Sequence, residues 1–112
     1  MKGLRQRDIS QGTGPVARVG LWATVRYDTY LPRGERCDVG SLFLKVGKDR
    51  DTFPAVAAGV VGMAVGGVRE LKVAPQLAYR ERSANPAISA SAELRYEITL
   101  LQLWNEAGNE RL

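Results

Sequence analysis

The chain of 112 residues, 45% of them hydrophobic, has the size of one domain with a single core. Sixteen basic and twelve acidic residues give a net charge of +4, but the two signs are interleaved, so no single-signed stripe predicts nucleic-acid binding. The absence of histidine excludes imidazole relays and most metal sites, and a single cysteine excludes an intrachain disulfide. We find no apolar run that resembles a membrane span or signal peptide and expect a cytoplasmic protein.

The first predicted strand covers residues 18–31, where apolar and polar side chains alternate. A Pro-Arg-Gly turn ends this strand, and the segments "ERCDV" and "SLFLKV" predict two further short strands separated at Gly40. Trp22 lies on the outward face, where we expect it either to pack on the N-terminal segment or to mark a contact surface. The face expected to be buried consists of Leu21, Ala23, Val25 and Tyr27.

A short helix is predicted over about residues 53–61, after a polar loop. Pro54 suits the first helical turn, and the side chain of Asp51 or Thr52 is placed to cap the first N–H groups. The residues behind Pro54 are alanine and valine on most sides. This composition predicts a helix that the rest of the domain mostly covers.

The second half of the chain predicts two more strands. Residues 68–74 form the first, with Leu71 and Val73 inward. Residues 80–91 have the composition of a turn and predict an exposed flap, and residues 105–112 predict a polar, frayed tail. The segment 92–104 alternates most clearly, and its inward side chains are Ala92, Leu94, Tyr96, Ile98 and Leu100. We therefore expect one α+β domain over residues 1–112, an antiparallel sheet with a single short helix on one face.

Three motifs are distributed along most of the chain: "DISQGTGPVARVG" near the N-terminus, "AAGVVGMAVGGVRELKVAPQLAY" at residues 57–79, and "YEITLL" in the last strand. Together they resemble the FKBP-type peptidyl-prolyl isomerases. The resemblance runs from about Asp8 to Leu103. It implies a twisted five- or six-stranded antiparallel sheet wrapped around one short helix. It also implies rotation about X–Pro peptide bonds in an apolar pocket, without a cofactor or a covalent intermediate.

The resemblance also implies roles for single residues. Tyr79 matches the tyrosine whose hydroxyl donates to the bound peptide, Phe53 the residue whose backbone N–H binds a substrate carbonyl, and Asp38 the hydrogen-bonding aspartate. These three are the candidate catalytic residues. The candidate pocket walls are Tyr27, Cys37, Leu42, Val56, Ile88 and Tyr96, with Phe43 as the alternative to Leu42 if the register shifts by one.

The chain departs from the family pattern at this pocket. Cys37 stands where the family has an aromatic wall, and Val56 stands where it usually has a tryptophan floor. The loop after Asp38 is short and lacks the basic residue that commonly pairs with this aspartate. Loss of stacking on an indole is worth about 0.5–1.5 kcal/mol, besides the lost burial. We therefore expect reduced turnover and weak binding of tacrolimus-like macrolides.

Three functions remain open on the sequence. The first is a prolyl isomerase that acts on proline-containing peptides or unfolded chains, and the second is a catalytically weak peptide-binding, chaperone or scaffold module. The third is a basic domain recruited to nucleic acid or an acidic partner. Structural roles compete with the proposed ones: Tyr79 as a surface tyrosine, Asp38 as a turn cap, Tyr27 and Tyr96 as core residues. No metal is expected, and the protein is expected to be a monomer.

Overall fold

Five strands form one antiparallel sheet in the computed structural model, which describes residues 2–47, 53–78, 85 and 88–112. Across the sheet the strands follow the order β1-β4-β5-β2-β3. The α+β fold with one short helix is therefore confirmed within these residues. The elements are β1 (Leu4–Ser10), β2 (Trp22–Tyr30), β3 (Arg36–Lys45), α1 (Pro54–Gly59), β4 (Val68–Val73) and β5 (Leu94–Trp104).

The core lies on the inner face of the sheet, against α1. Each predicted inward face is confirmed, because alternate side chains of β2 and β5 are buried while those between them are at least partly exposed. The helix contributes its own buried residues from a stretch of alanine and valine. Buried residues from the three elements are Ala23, Val25 and Tyr27 of β2, Leu94, Tyr96, Ile98 and Leu100 of β5, and Ala55, Val56 and Ala57 of α1.

The helix is shorter than the sequence predicts, running from Pro54 to Gly59. Phe53 is its N-cap residue, and no side chain caps that end. The predicted caps, Asp51 and Thr52, lie outside the described residues. At the other end, a Cβ on Gly59 would lie 2.5 Å from Leu71 Cδ1, so a glycine there lets the helix approach β4 closely.

A buried arginine connects the end of the helix to the sheet. Arg69 belongs to the inward face of β4 and is only 5% exposed, although its side chain is charged. Its Nη1 donates to the carbonyl oxygens of Gly59 and Val61, at 2.8 Å each, and its Nε donates to Asp8 Oδ1 at 2.6 Å. These bonds satisfy carbonyls that the helix leaves without partners, and the Asp8 carboxylate balances the charge.

The sequence predicted two short strands separated at Gly40, and this prediction is wrong, because β3 is one continuous strand of ten residues. It pairs with β2 along its whole length, and Gly40 lies directly opposite Tyr27. Gly40 is not among the glycines with positive φ, so its backbone makes no turn. The pairing has one irregularity, between Thr29 and Tyr30, which leaves Cys37 as the extra residue on β3.

The alternation of side chains carried no signal for β1, because six of its seven residues are exposed. An edge strand with both faces open shows no periodic change between apolar and polar residues. Its place in the sheet comes from antiparallel pairing with β4, in which Leu4 lies opposite Val73 and Asp8 opposite Arg69.

The expected frayed tail is also wrong, because the last residues form a turn that folds back on β5. Asn105 N–H donates to the Glu110 carbonyl at 2.8 Å, and Leu112 N–H donates to that of Leu103 at 2.9 Å. The Asn105 side chain accepts from the N–H groups of Asn109 and Glu110, so polar residues hold the turn. We call residues 105–112 the C-terminal turn.

Trp22 packs against this C-terminal turn, rather than on the N-terminal segment. Its indole N–H donates to the Glu106 carbonyl at 3.1 Å, and its ring stacks on Phe43 with centroids 5.1 Å apart. Trp104 meets Phe43 edge to face at 6.3 Å. We call Trp22, Phe43 and Trp104 the outer aromatic cluster. No helix in the described part of the chain is long and apolar enough to cross a membrane.

Candidate functional site

Three aromatic rings meet on the inner face of the sheet, next to the start of α1. Tyr27 comes from β2, Tyr96 from the adjacent β5, and Phe53 from the position just before the helix. Tyr27 lies edge to face against Phe53, with centroids 5.6 Å apart, and against Tyr96, at 6.3 Å. Phe53 and Tyr96 complete the group at 6.4 Å. We call these three residues the aromatic triad.

Strand periodicity and helix capping together place the triad. Tyr27 and Tyr96 occupy inward positions of adjacent strands, and both are almost fully buried, 8% and 0% exposed. Phe53 has the extended backbone of an N-cap residue, which turns its ring toward the strands instead of along the helix. Val56, one turn into α1, is fully buried in the same core. The result is a buried apolar and aromatic cluster where helix and sheet meet.

Asp38 places one carboxylate beside this cluster. Its Oδ2 accepts a hydrogen bond from the Tyr27 hydroxyl at 3.1 Å, and its Oδ1 accepts one from the Val39 N–H at 2.9 Å. The segment after Asp38 lacks the basic residue that commonly pairs with this aspartate in the family. In this chain the Tyr27 hydroxyl is a hydrogen-bond partner of the Asp38 carboxylate. Asp38 lies inside β3 and therefore caps no turn, and its role as a hydrogen-bonding group toward a peptide stays a prediction.

Cys37 and Leu42 lie on either side of Asp38 along β3, and both are partly buried against the core. Burial raises the pKa of the Cys37 thiol, and the negative charge of Asp38 raises it further. A thiol with a raised pKa stays protonated at neutral pH and is a poor nucleophile. Phe43, the alternative wall residue, is half exposed and belongs to the outer aromatic cluster.

The segment expected to form the flap is described only in part. Ile88 is 6% exposed and packs in the core, so at this position the segment is buried instead of open. Tyr79, the predicted hydroxyl donor, lies outside the described residues, as do residues 80–84, 86 and 87. The role of Tyr79 stays a prediction.

The structure thus brings most of the predicted pocket residues into one core cluster. Sequence reasoning interpreted Gly40 only as a break between strands. A Cβ at this glycine would lie 3.0 Å from the Tyr27 hydroxyl oxygen. Counting residues back from the turn after β2 would have placed Val39 opposite Tyr27. The irregularity at Cys37 shifts the register by one residue, so the sequence carried no signal for Gly40. The predicted residues in the cluster are Tyr27, Cys37, Leu42, Phe53, Val56, Ile88 and Tyr96.

The chemistry available at this site is that of binding and orientation. Asp38 is a hydrogen-bonding group at its edge, the triad supplies aromatic surface, and Val56 supplies aliphatic surface. Within the described residues, no group of three or more His, Cys, Asp or Glu side chains comes together. Side chains of this kind are those that line sites for neutral, apolar ligands held by a few hydrogen bonds.

Comparison with known proteins connects this chain to a family. The sequence model of a family described as FKBP-type peptidyl-prolyl cis-trans isomerase matches residues 14–101. "FK506-binding protein 4" of Aspergillus fumigatus is 35% identical over 107 residues, covering 92% of this chain and 22% of that protein. The "46 kDa FK506-binding nuclear protein" of Spodoptera frugiperda is 28% identical over 102 residues, covering 88% and 25%. The chain thus spans about a quarter of the length of these curated relatives.

Solved structures share the fold at lower sequence identity. A peptidyl-prolyl cis-trans isomerase from Pseudomonas syringae pv. tomato has a TM-score of 0.75 and 22% identity, covering 93% of this chain and 77% of that one. The N-terminal domain of FKBP42 from Arabidopsis thaliana has a TM-score of 0.77 and 20% identity, covering 92% and 87%. Both confirm the arrangement of sheet and helix.

Proposed function

We propose, because the chain belongs to the FKBP-type peptidyl-prolyl cis-trans isomerase family, that it catalyses rotation about X–Pro peptide bonds, with reduced activity, at the aromatic triad. The observation that carries this proposal is the triad itself, packed beside Val56 at the junction of helix and sheet. The substrates are proline-containing peptides or partly folded chains. No cofactor takes part.

The reaction needs no acid or base. Rotation costs about 18–20 kcal/mol in water, because the amide loses its resonance as it leaves planarity. The twisted amide is less polar than the planar one, so a surface of aromatic and aliphatic side chains favours the transition state over the ground state. Hydrogen bonds to the flanking carbonyls then fix the orientation of the chain on either side of the proline.

Each residue of the site has one role in this scheme. The rings of Tyr27 and Tyr96 and the side chain of Val56 contact the proline ring. Phe53 presents its backbone N–H to a substrate carbonyl, as the first N–H groups of a helix have no partner inside the helix. The Phe53 carbonyl accepts from Val56 and Ala57 N–H at 2.9 and 3.0 Å, which supports a fixed backbone at that position.

Three further residues complete the proposed site. Tyr79 donates its hydroxyl to the peptide, and Ile88 covers the proline. Asp38 orients the Tyr27 hydroxyl through the 3.1 Å hydrogen bond. Cys37 and Leu42 are apolar wall residues, in keeping with their partial burial.

The test is the rate of cis–trans exchange in a Leu-Pro tetrapeptide with stoichiometric protein, measured by NMR exchange spectroscopy. We expect acceleration by the parent protein, a fall of about fivefold to tenfold in Tyr79→Phe, and a rise of about tenfold in Val56→Trp. Tyr30→Phe is the matched control, because Tyr30 points outward and packs under Arg95. A parent protein that leaves the exchange rate unchanged would contradict the proposal.

A second candidate is a binding module on the same fold, acting as a chaperone-like or scaffold domain. The observation that favours it is Val56, a small side chain at the position expected to form an indole floor. This candidate predicts peptide binding without turnover in the parent, and turnover only in Val56→Trp. The same NMR experiment therefore separates the two candidates.

Charge and compartment complete the proposal. Basic side chains on the outer sheet face pair with carboxylates, as Arg5 does with Glu93 and Arg7 with Glu70, at 3.1 and 3.2 Å. This pairing favours a peptide ligand over recruitment to nucleic acid.

We propose a monomer that works in the cytoplasm, where Cys37 stays a free thiol.

A further inference from the structure

Gly40 occupies a position whose backbone does not require glycine. It lies inside β3, in an ordinary extended conformation, and it is not among the glycines with positive φ. A side chain at such a position would by itself favour the strand, since glycine loses more backbone freedom on folding than any other residue. The reason for a glycine here must therefore be space.

The space that Gly40 leaves open is occupied by the Tyr27 ring. The two residues lie directly opposite each other on the paired strands. A Cβ at position 40 would lie 3.0 Å from the Tyr27 hydroxyl oxygen and 3.2 Å from each of two ring carbons, Cε1 and Cζ. Such distances are shorter than ordinary van der Waals contact, so an alanine would push the ring away from β3 by a few tenths of an ångström.

The ring has few directions in which to move. Tyr27 is 8% exposed, with Phe53 against one side and Tyr96 against another. Displacement from β3 also moves the hydroxyl away from Asp38, because Asp38 and Gly40 lie two residues apart on the same face of that strand. The hydrogen bond to Asp38, at 3.1 Å, is already at the long limit for a bond between hydroxyl and carboxylate. A further few tenths of an ångström would weaken it.

We propose that Gly40 is a positioning residue of the site, one that sets the orientation of the Tyr27 hydroxyl on Asp38 by leaving room for the tyrosine ring. The inference rests on the proposed function for its catalytic consequence. Its geometric part, the dependence of the Tyr27–Asp38 contact on a missing Cβ, stands on the packing alone. The continuous β3 is what brings this backbone against the ring.

The test is a double-mutant cycle between Gly40→Ala and Tyr27→Phe. Each single variant is expected to lower the exchange rate of the Leu-Pro peptide about fivefold, the factor that corresponds to one hydrogen bond of typical net strength. Gly40→Ala in the Tyr27→Phe background is expected to lower it no further, because the hydroxyl is already gone. Ser41→Ala, next along β3 on the exposed face, is the matched control and should change the rate less than twofold.

Two independent measurements accompany the rates. Chemical unfolding should show that Gly40→Ala is about as stable as the parent, because a merely structural role would appear there first as a loss of stability. The NMR shifts of the Tyr27 ring should change in Gly40→Ala and not in Ser41→Ala. A Gly40→Ala rate within twofold of the parent, or single-variant losses that multiply in the double variant, would overturn the proposal.

The outcomes also separate this inference from the proposed function. Should the parent protein leave the peptide exchange rate unchanged, the proposed function is overturned and the ring shifts alone decide the inference. Changed Tyr27 shifts in Gly40→Ala would then support the positioning, and unchanged shifts would overturn it. If Gly40→Ala does not fold, the NMR shifts are measured on the phenyl ring at position 27, in the double variant and in Tyr27→Phe alone. The same two outcomes then decide the inference.

Discussion

Single side chains would decide how well the proposed site holds a proline ring. The aromatic triad offers three ring surfaces, whereas the helix contributes only the isopropyl group of Val56. Alternation along the strands predicted that Tyr27 and Tyr96 point inward, whereas only the family resemblance pointed to Val56. The sequence did not allow the partner of Asp38 to be predicted, since the contact with Tyr27 depends on the register between two strands.

The small side chain at position 56 predicts weak macrolide binding. A tacrolimus-like macrolide would bury its ring against aliphatic surface without an indole to stack on, and stacking contributes about 0.5–1.5 kcal/mol beyond burial. We expect Val56→Trp to tighten binding by about tenfold, measured by isothermal titration calorimetry. Val61→Trp, at a partly exposed position beyond the helix, is the control and should leave affinity unchanged. Tight binding by the parent would contradict this prediction.

At the scale of elements, the sequence predicted the strands that have one buried face and missed the strand that has none. The alternation in β2, β4 and β5 follows from burial of one face against α1. β1 was not predictable because it has no buried face, and its position depends on pairing with β4. Arg69 was not predictable either, because the groups that compensate its burial come from β1 and from the end of the helix.

The contact between Asp8 and Arg69 predicts how stability depends on pH. The hydrogen bond from Arg69 lowers the pKa of Asp8 below its usual range, against an opposing effect of burial. The unfolded chain therefore binds a proton to Asp8 at a higher pH than the folded one does. The stabilisation is fully present above about pH 4 and is lost as the pH falls through the lowered pKa of the folded state.

Asp8→Asn should accordingly be less stable than the parent at pH 7, with the difference shrinking toward pH 2, as measured by urea unfolding across that range. Glu93→Gln is the control, since Glu93 pairs with Arg5 at an exposed position where an ion pair contributes little. A difference between Asp8→Asn and the parent that does not vary with pH would refute the assignment.

Removal of the arginine itself tests the other half of this contact. Arg69→Met should cost about 2 kcal/mol of stability at pH 7, because two carbonyl oxygens lose their donor. The measurement is again urea unfolding, with Arg7→Met as the control, since the Arg7 side chain is exposed and forms a surface ion pair with Glu70. Equal stabilities of the two variants would show that the buried bonds of Arg69 contribute nothing beyond a surface ion pair.

At the scale of the whole molecule, the first strand and the C-terminal turn each pack against the sheet, at different places. β1 adds an edge strand beside β4, and the C-terminal turn folds onto Trp22 at the start of β2. The fold class was predictable from alternation and family resemblance. These two packing arrangements were not, because polar residues form both and polar segments carry no periodic signal.

The fit of the C-terminal turn on Trp22 can be tested at Gly108. This glycine has φ of +73°, and a Cβ there would lie 3.2 Å from Trp22 Cδ1. Gly108→Ala should therefore destabilise the fold by about 1–2 kcal/mol, through backbone strain and the contact together, in urea unfolding followed by circular dichroism. Gly34→Ala is the matched control, since Gly34 has φ of +95° and no atom of the described residues lies within 4 Å of the added Cβ. Equal losses of unfolding free energy in the two variants would show that the Trp22 contact contributes nothing beyond backbone strain.

The outer aromatic cluster has a practical consequence for spectroscopy. It contains both tryptophans of the chain, whereas the candidate site is built from tyrosine and phenylalanine. Intrinsic indole emission will therefore follow the C-terminal turn and the outer sheet face, and a peptide that binds at the triad can leave it unchanged. Absence of an emission change on titration is no sign of absent binding in this protein. Val56→Trp would place an indole at the site and so supply the missing optical reporter.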